Sequence, residues 1–414
     1  MDYKKVESCR VCKSYRLRSY LNLGSVPLCN SLQKSEYEQV EKYPIEVLFC
    51  EDCYLSQLSI VVDPKILYSD YVYHSSVSQT FKEHCYQMAL TLKSEFVFTE
   101  FPLVLDIASN DGCLLREFKR AGFTRLLGFE PAKNIGTYET SYKLDELICV
   151  VNDFFCEASA RSVKGDAGGG QASIITATNV FAHVDDLDDF LRGVKWFLHD
   201  NGVFVVEVPY LKHLIQKNEF DTIYHEHLSY FLLKPLVKLF ERHGLPIFRV
   251  EEYPIHGGSI RIYASLNRPV ESSVTDMLRD EELAGLYNIK TYEEFNRMVM
   301  HLTEGFCTMM EMFYYECKKV VAYGASAKGI SLLNYCGIKN HMITCIIDDT
   351  PDKQGKLTPG SLIPIVSYPY FEAVKPDVIV LLAWNFAEEL MAKTKWHKDK
   401  GGHYVIPVPE LKII

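Results

Sequence analysis

The chain has 414 residues, 48% of them hydrophobic and 24% charged, an ordinary globular composition in a chain too long for one core, so two or three domains are expected. Its formal net charge of -10 argues against general binding to nucleic acid or anionic membrane, whose phosphates it would repel, but leaves room for a small anion in a local basic pocket. The N-terminal text MDYKKVESCRVCKSYRLRS has no signal-peptide apolar run, and no apolar stretch is long enough to span a bilayer, so a cytoplasmic protein is expected.

Thirteen cysteines without an export signal imply a reducing compartment, with the thiols serving as metal ligands or core residues. In chain order, the first seventy or so residues are rich in Cys, Tyr and Pro and show no long helical period. They carry Cys9-Arg-Val-Cys12 and Cys50-Glu-Asp-Cys53, two CxxC pairs about forty residues apart. Each pair can form a knuckle, and two knuckles complete a tetrahedral zinc site of four cysteines. Four thiolates leave no open coordination position, so the zinc is expected to be structural. Buried free thiols are the rival reading, and Cys29, unpaired between the knuckles, reads as a packing residue.

A helix is expected from after Tyr73 to about Lys93. From Phe101 apolar strands alternate with amphipathic helices, the pattern of an α/β domain. The strand Leu103–Ile107 leads into a helix over Leu114–Ala121 and a strand ending at Phe129. Further strands are expected at Leu147–Val151, Ser173–Ala177 and, after an Asn201-Gly202 turn, Val203–Val206. The glycine-rich stretch from Lys164 to Gln171 reads as a flexible surface loop. Helical text from Val274 to Cys317 leads to a second α/β series with strands at Val320–Tyr323, Thr344–Ile347 and Val378–Leu382.

The first loop, Asp106-Ile-Ala-Ser-Asn-Asp-Gly112, and the acid Glu130 ending the next strand reproduce a Rossmann mononucleotide unit. A nicotinamide cofactor would need glycines where Ala108 and Asn110 stand, because the backbone must approach a pyrophosphate. S-adenosylmethionine (SAM) carries no phosphate, so a loop keeping only Gly112 suffices. Glu130 suits both ribose hydroxyls, and Asn152 and Asp153 suit the adenine edge. The rival readings are an ordinary turn without ligand and a nicotinamide site.

Three further pieces follow strands of this sheet: Asn179-Val-Phe-Ala-His183, Glu207-Val-Pro-Tyr210 and Tyr224-His-Glu-His227. Methyl transfer to carbon needs a base beside a carbonyl and a donor for the enolate. Histidine titrates near neutrality and a carboxylate can orient it. A metal site and a structural role for each histidine are the alternatives.

Together the motifs resemble the three-domain sugar C-methyltransferases, which methylate C-3 of nucleotide-linked 4-keto-6-deoxysugars. The resemblance covers nearly the whole chain. It is carried by the CxxC pairs, Leu23-Gly-Ser-Val-Pro-Leu-Cys-Asn30, Tyr71-Val-Tyr-His-Ser-Ser-Val-Ser78, Ile107-Ala-Ser-Asn-Asp-Gly112, Gly128-Phe-Glu-Pro131, Tyr224-His-Glu-His227, His256-Gly-Gly-Ser259, Tyr323-Gly-Ala-Ser-Ala-Lys-Gly329 and Pro359-Gly-Ser-Leu-Ile-Pro364. It implies His227 as the base, Glu226 and Tyr224 as its neighbours, His183 as a second active-site histidine, and Tyr73, or Tyr71 two residues earlier, as a tyrosine from the segment after the zinc domain. Ala108 departs from the family's usual glycine.

The resemblance further implies a zinc-binding domain over 1–75, a SAM-binding domain over 76–275 and a Rossmann-like domain over 276–414 without a redox cofactor. That last domain helps to hold the sugar nucleotide, and Asn179 joins the SAM site. At the start of a helix, Ser326 and Lys328 suit an anionic diphosphate, with Arg261 assisting; a vestigial packing loop is the alternative. The expected protein is thus a monomeric SAM-dependent enzyme with a nucleoside-diphosphate sugar as substrate. An O- or N-methyltransferase, or a non-catalytic zinc- and nucleotide-binding scaffold, stands as the rival.

Overall fold

The computed structural model describes residues 2–69, 71, 74–96, 100–135, 141–166 and 171–414. Near the N-terminus, Leu17–Pro27, Lys42–Cys50 and Ser56–Leu58 form an antiparallel sheet whose fourth strand, Ser229–Tyr230, comes from far along the chain. Ser229 pairs with Gln57 and Tyr230 with Ser56. Tyr3–Lys5 and Ile60–Val62 make a separate two-stranded ribbon.

The central sheet has eight strands in the spatial order 247–253, 259–264, 198–209, 172–178, 103–107, 125–129, 148–151 and 141–143. The strands from 198–209 through 148–151 are parallel, and the others add antiparallel edges. Leu103–Ile107 is buried along its whole length, as expected of a parallel strand covered on both faces. The order reverses there, because its neighbours 125–129 and 172–178 follow it in opposite directions across the sheet. Ligands of open α/β sheets gather at such a switch point.

The C-terminal sheet has the order 365–366, 346–347, 320–323, 378–381, 403–406 and 412–413, parallel except for its last strand. Among the described residues, no helix is long and apolar enough to cross a membrane.

Four elements differ from expectation. The helix after Tyr73 begins only at Gln79, where the Ser78 side chain accepts from the amide of Phe81. The helical text 274–317 is two helices, Ser272–Leu283 and Ile289–Tyr315, broken at Gly285 (φ 70°) and restarted by the Asn288 cap. Asn201-Gly202 is not a turn before a strand but lies within the strand Leu198–Pro209. A Cβ on Gly202 would lie 2.9 Å from the His199 carbonyl oxygen and 3.0 Å from that of Ala172, so close backbone packing rather than reversal demands the glycine. Of the loop expected over 164–171, the start belongs to the helix Glu157–Asp166, and 167–170 lie outside the described residues.

Candidate active site and metal centre

The four Sγ atoms of Cys9, Cys12, Cys50 and Cys53 lie within 4.8 Å of one another. Cys9 and Cys53 are 3.4 Å apart, and Cys12 and Cys50 3.5 Å. Tetrahedral Zn–S bonds of about 2.3 Å need sulfurs about 3.8 Å apart, so the donor set fits zinc. The two knuckles are built alike. Lys13 (φ 63°) and Tyr54 (φ 69°) turn left-handed after the second cysteine, each donating its amide at 2.9 Å to the carbonyl of the first. Cys29 is more than packing, since its sulfur lies 3.8 Å from Glu226 Oε1.

At the switch point, Asp106 is buried and accepts a 2.7 Å hydrogen bond from Thr176 Oγ1. Burial pushes its carboxyl up to about 7. The loop beyond it turns left-handed three times, at Ala108 (φ 57°), Asn110 (φ 51°) and Gly112 (φ 77°). Glu130 closes the loop from the neighbouring strand, accepting from the Asn110 amide at 2.7 Å and the Ala132 amide at 2.8 Å. Burial raises the Glu130 carboxyl, and these two amides oppose the shift. Gly128 permits the close approach, since a Cβ there would stand 2.4 Å from Ser109 Oγ.

The remaining cofactor expectations take distinct places. Asn152 Nδ2 donates to the Glu130 carbonyl at 2.8 Å and so braces the loop mouth. Asp153 is exposed at the rim, where it accepts from the Phe154 amide. Asn179 (φ 56°) ties the loop after its strand to the Glu207 carbonyl at 2.8 Å. The segment after the zinc domain lies on the loop, with the Ser75 amide donating to Asn110 Oδ1 at 3.0 Å and the Ser76 amide to Asp111 Oδ2 at 3.1 Å. A buried acid pair, a loop without the full glycine set and an acid at the second strand fit SAM.

His183, Tyr224, Glu226 and His227 come together. His227 Nδ1 meets the Thr222 carbonyl at 2.8 Å and Nε2 meets Tyr224 Oη at 3.0 Å. The carbonyl can only accept, so Nδ1 carries a hydrogen, and in the neutral ring Nε2 then holds the lone pair. The His183 ring lies 5.1 Å from that of His227 and stacks on Tyr68 at 5.8 Å. Burial lowers the His183 imidazole to about 4, keeping it neutral.

Glu226 does not orient His227, contrary to expectation. Its carboxylate turns toward the zinc domain, accepting from Asn30 Nδ2 at 2.5 Å and Tyr71 Oη at 3.1 Å. Burial pushes it up to about 7. Tyr73 lies outside the described residues. His225 anchors the segment instead, meeting the Tyr43 carbonyl at 3.0 Å.

Other expected partners are engaged elsewhere. Glu207 is fully buried between His84, at 2.8 Å, and Arg261, at 2.7 Å. Burial opposes its charge, yet His84 and Arg261 hold it below the usual carboxylate range. Tyr210, also buried, donates to Glu281 at 2.9 Å. Arg261 is therefore a sheet residue opposite Glu207 rather than a diphosphate ligand. Ser326 is the N-cap of Ala327–Tyr335 and accepts from the Gly329 amide at 3.2 Å. Lys328 faces the acids Glu219 and Asp221, whose carboxyls burial raises and the lysine charge lowers. In this second loop, Asp348 takes the Ala325 amide at 2.8 Å, as Glu130 takes that of Asn110.

The residues of this cluster that sequence reasoning missed are Thr222, Asn30 and Tyr68. Asn30 ends a quoted motif, which was a usable signal. Thr222 acts through its backbone carbonyl, which no side-chain pattern reveals.

A Rossmann sheet whose acidic loop sits at the switch point suits a methyltransferase domain, and residues 87–250 match the family model described as "Methyltransferase domain". The protein is a SAM-dependent methyltransferase. Residues 9–68 match a "zinc binding domain" model and 254–409 the "C-methyltransferase C-terminal domain". C-methyltransferase NovU of Streptomyces niveus is 33% identical over 99% of this chain and 97% of its own. The chain belongs to this three-domain C-methyltransferase family, and its four-cysteine centre is a zinc-binding site.

Among solved structures, magnesium protoporphyrin IX methyltransferase of Synechocystis PCC 6803 aligns at 12% identity over 44% of this chain and 82% of its own, with a TM-score of 0.31. A SAM-dependent methyltransferase of Anabaena variabilis aligns at 12% identity over 48% and 98%, with a TM-score of 0.33. Superpositions this loose carry no weight beside the family match.

Proposed function

We propose that this C-methyltransferase acts at C-3 of a nucleoside-diphosphate 4-keto-6-deoxysugar, with His227 as the general base. The observation that carries the proposal is the 2.8 Å contact between His227 Nδ1 and the Thr222 carbonyl: a carbonyl only accepts, so the neutral ring keeps its hydrogen on Nδ1 and offers the Nε2 lone pair to a proton. Nε2 removes the C-3 proton alpha to the ketone, and the electron pair left behind delocalises onto the C-4 oxygen as an enolate. In the resting site Tyr224 donates to Nε2. A ketone oxygen offers that hydroxyl another acceptor, which frees the base and steadies the enolate. His183, neutral at physiological pH, is a second donor for that oxygen. The loop of Asp106, Ala108, Asn110 and Gly112, with Glu130, Asn152, Asp153 and Asn179, would hold SAM, which would supply the electrophilic methyl group for C-3, the electron pair of the broken S–CH3 bond staying on the sulfur of S-adenosylhomocysteine.

His227→Ala is expected to bind SAM and sugar nucleotide with near wild-type affinity and to methylate on the order of 10²–10⁴-fold more slowly, the usual share of general base catalysis. The wild type should exchange the C-3 hydrogen for deuterium in heavy water, followed by NMR with S-adenosylhomocysteine bound, and the variant should lose that exchange in step. Full exchange in His227→Ala would place the base elsewhere. Methyl appearing on oxygen or nitrogen without exchange would overturn C-3 chemistry altogether.

A further inference from the structure

The carbonyl that orients His227 belongs to a one-turn helix, Phe220–Thr222, pinned from the C-terminal domain. Asp221, in its middle, is 2% exposed. Its Oδ2 accepts from Trp384 Nε1 at 2.7 Å, and Trp384 follows the C-terminal strand Val378–Leu381. Lys328, in the first turn of Ala327–Tyr335, sets its ammonium 5.0 Å from the Trp384 ring centre. The same helix brings the Tyr335 ring to 6.1 Å from Phe220.

Stability alone does not account for this arrangement. Lys328 Nζ, Asp221 Oδ1 and Glu219 Oε1 are buried with no hydrogen-bond partner among the described residues. Burial raises the Glu219 and Asp221 carboxyls, and the Lys328 charge opposes both shifts. Buried charges so sparsely bonded are destabilising, and an apolar contact of the same size would hold two domains together at least as well. Charge and the indole N–H give a defined orientation of the turn, which apolar packing does not.

We propose that Trp384 and Lys328 are positioning residues for methyl transfer: through Asp221 they fix the Phe220–Thr222 turn, so that the Thr222 carbonyl holds His227 in the Nδ1–H tautomer. This rests on His227 being the base, and it makes the C-terminal domain a brace of the active site in the neighbouring domain. Neither side chain touches the reacting atoms. A misplaced carbonyl lets the imidazole rotate or change tautomer, lowering the rate and leaving substrate affinity intact.

The test uses full-length Trp384→Phe, which removes the indole N–H donor while keeping an aromatic ring, together with Lys328→Gln and Lys328→Arg. Trp384→Phe and Lys328→Gln should lower kcat and C-3 deuterium exchange together, by roughly 10–100-fold, with KM for the sugar nucleotide and affinity for S-adenosylhomocysteine within about twofold. Lys328→Arg, which keeps the charge, should recover most of the rate. Long-range ¹H–¹⁵N spectra of ¹⁵N-histidine protein, with the His227 signals assigned from His227→Ala, should show the Nδ1–H form giving way to a mixture in the slow variants. Should Trp384→Phe fail to fold, by zinc content and thermal melting, the Lys328 pair carries the same measurements. Unchanged kcat, exchange and tautomer overturn the proposal. So does a raised KM at unchanged kcat, which would make these residues direct ligands of the substrate. If His227→Ala itself keeps full exchange, the base assignment has failed first.

Discussion

Ala108 stands at φ 57°, where its Cβ crowds the backbone and glycine does not. Ala108→Gly should therefore raise stability by about 0.5–1 kcal/mol, the relieved strain less the added freedom of the unfolded chain. SAM affinity should stay within about twofold, measured by calorimetry beside denaturant unfolding, and a lost SAM site would mean that the methyl packs on the cofactor. Glu226 permits a test by pH. Its carboxyl rises from 4.5 to about 7 in the fold. Between those values the folded protein keeps a proton that the unfolded chain has released, so this group's contribution to stability falls as pH rises through the window. Glu226→Gln cannot lose that proton. Its stability relative to wild type should improve by about 1–3 kcal/mol between pH 5 and pH 8, followed by urea unfolding with zinc present. A difference independent of pH would show Glu226 ionised throughout.

At the scale of elements, the adjacent strands Leu198–Pro209 and Ser259–Ala264 carry the buried pair Glu207–Arg261. Removing one partner of such a pair leaves the other charge stranded. Arg261→Leu should cost about 3–5 kcal/mol in unfolding free energy. It should leave affinity for nucleoside diphosphates unchanged within about twofold when the folded variant is titrated. A large loss of diphosphate affinity without loss of stability would return Arg261 to the substrate site. The long helix Ile289–Tyr315 shows the complementary limit of reading by element. Its apolar text is continuous with the preceding helix, and only the left-handed Gly285 and the Asn288 cap part them.

Across the whole molecule, the segment that carries Thr222 and His227 is held from both neighbouring domains. Arg10, between two zinc-ligand cysteines, donates to the carbonyls of Leu228 at 2.9 Å and Leu58 at 3.3 Å, and pairs with Asp185 at 3.2 Å. Ser229–Tyr230 extends the zinc domain's own sheet. Zinc loss should therefore reach the chemistry. Elemental analysis should find about one zinc per chain, and Cys50→Ser should lose it, unfold the knuckles locally and abolish most methylation. SAM affinity, which depends on the central sheet, should change by no more than about threefold. Full activity in verified zinc-free protein would refute the coupling.

The zinc centre, the SAM loop and the three-domain order were legible in the sequence because each depends on local spacing. A CxxC knuckle, a strand–loop–helix and an acid at a strand end are written within a few residues. The membership of the His183–Tyr224–His227 cluster was legible as well, since its pieces lie in short motifs after strands. Their partners were not. Glu226 lies beside His227 in the chain yet turns to Asn30 and Tyr71, while His227 takes the Thr222 carbonyl. Arg261, Ser326 and Lys328 suited an anion by charge and position, but cross-strand pairing engages Arg261, helix capping engages Ser326, and an acidic turn from the neighbouring domain faces Lys328. Local geometry decides which backbone turns and knuckles form, and so the sequence by itself determined the cofactor, the metal and the fold. Hydrogen-bond partners brought together from distant segments depend on where whole domains meet, and only the tertiary structure decided them.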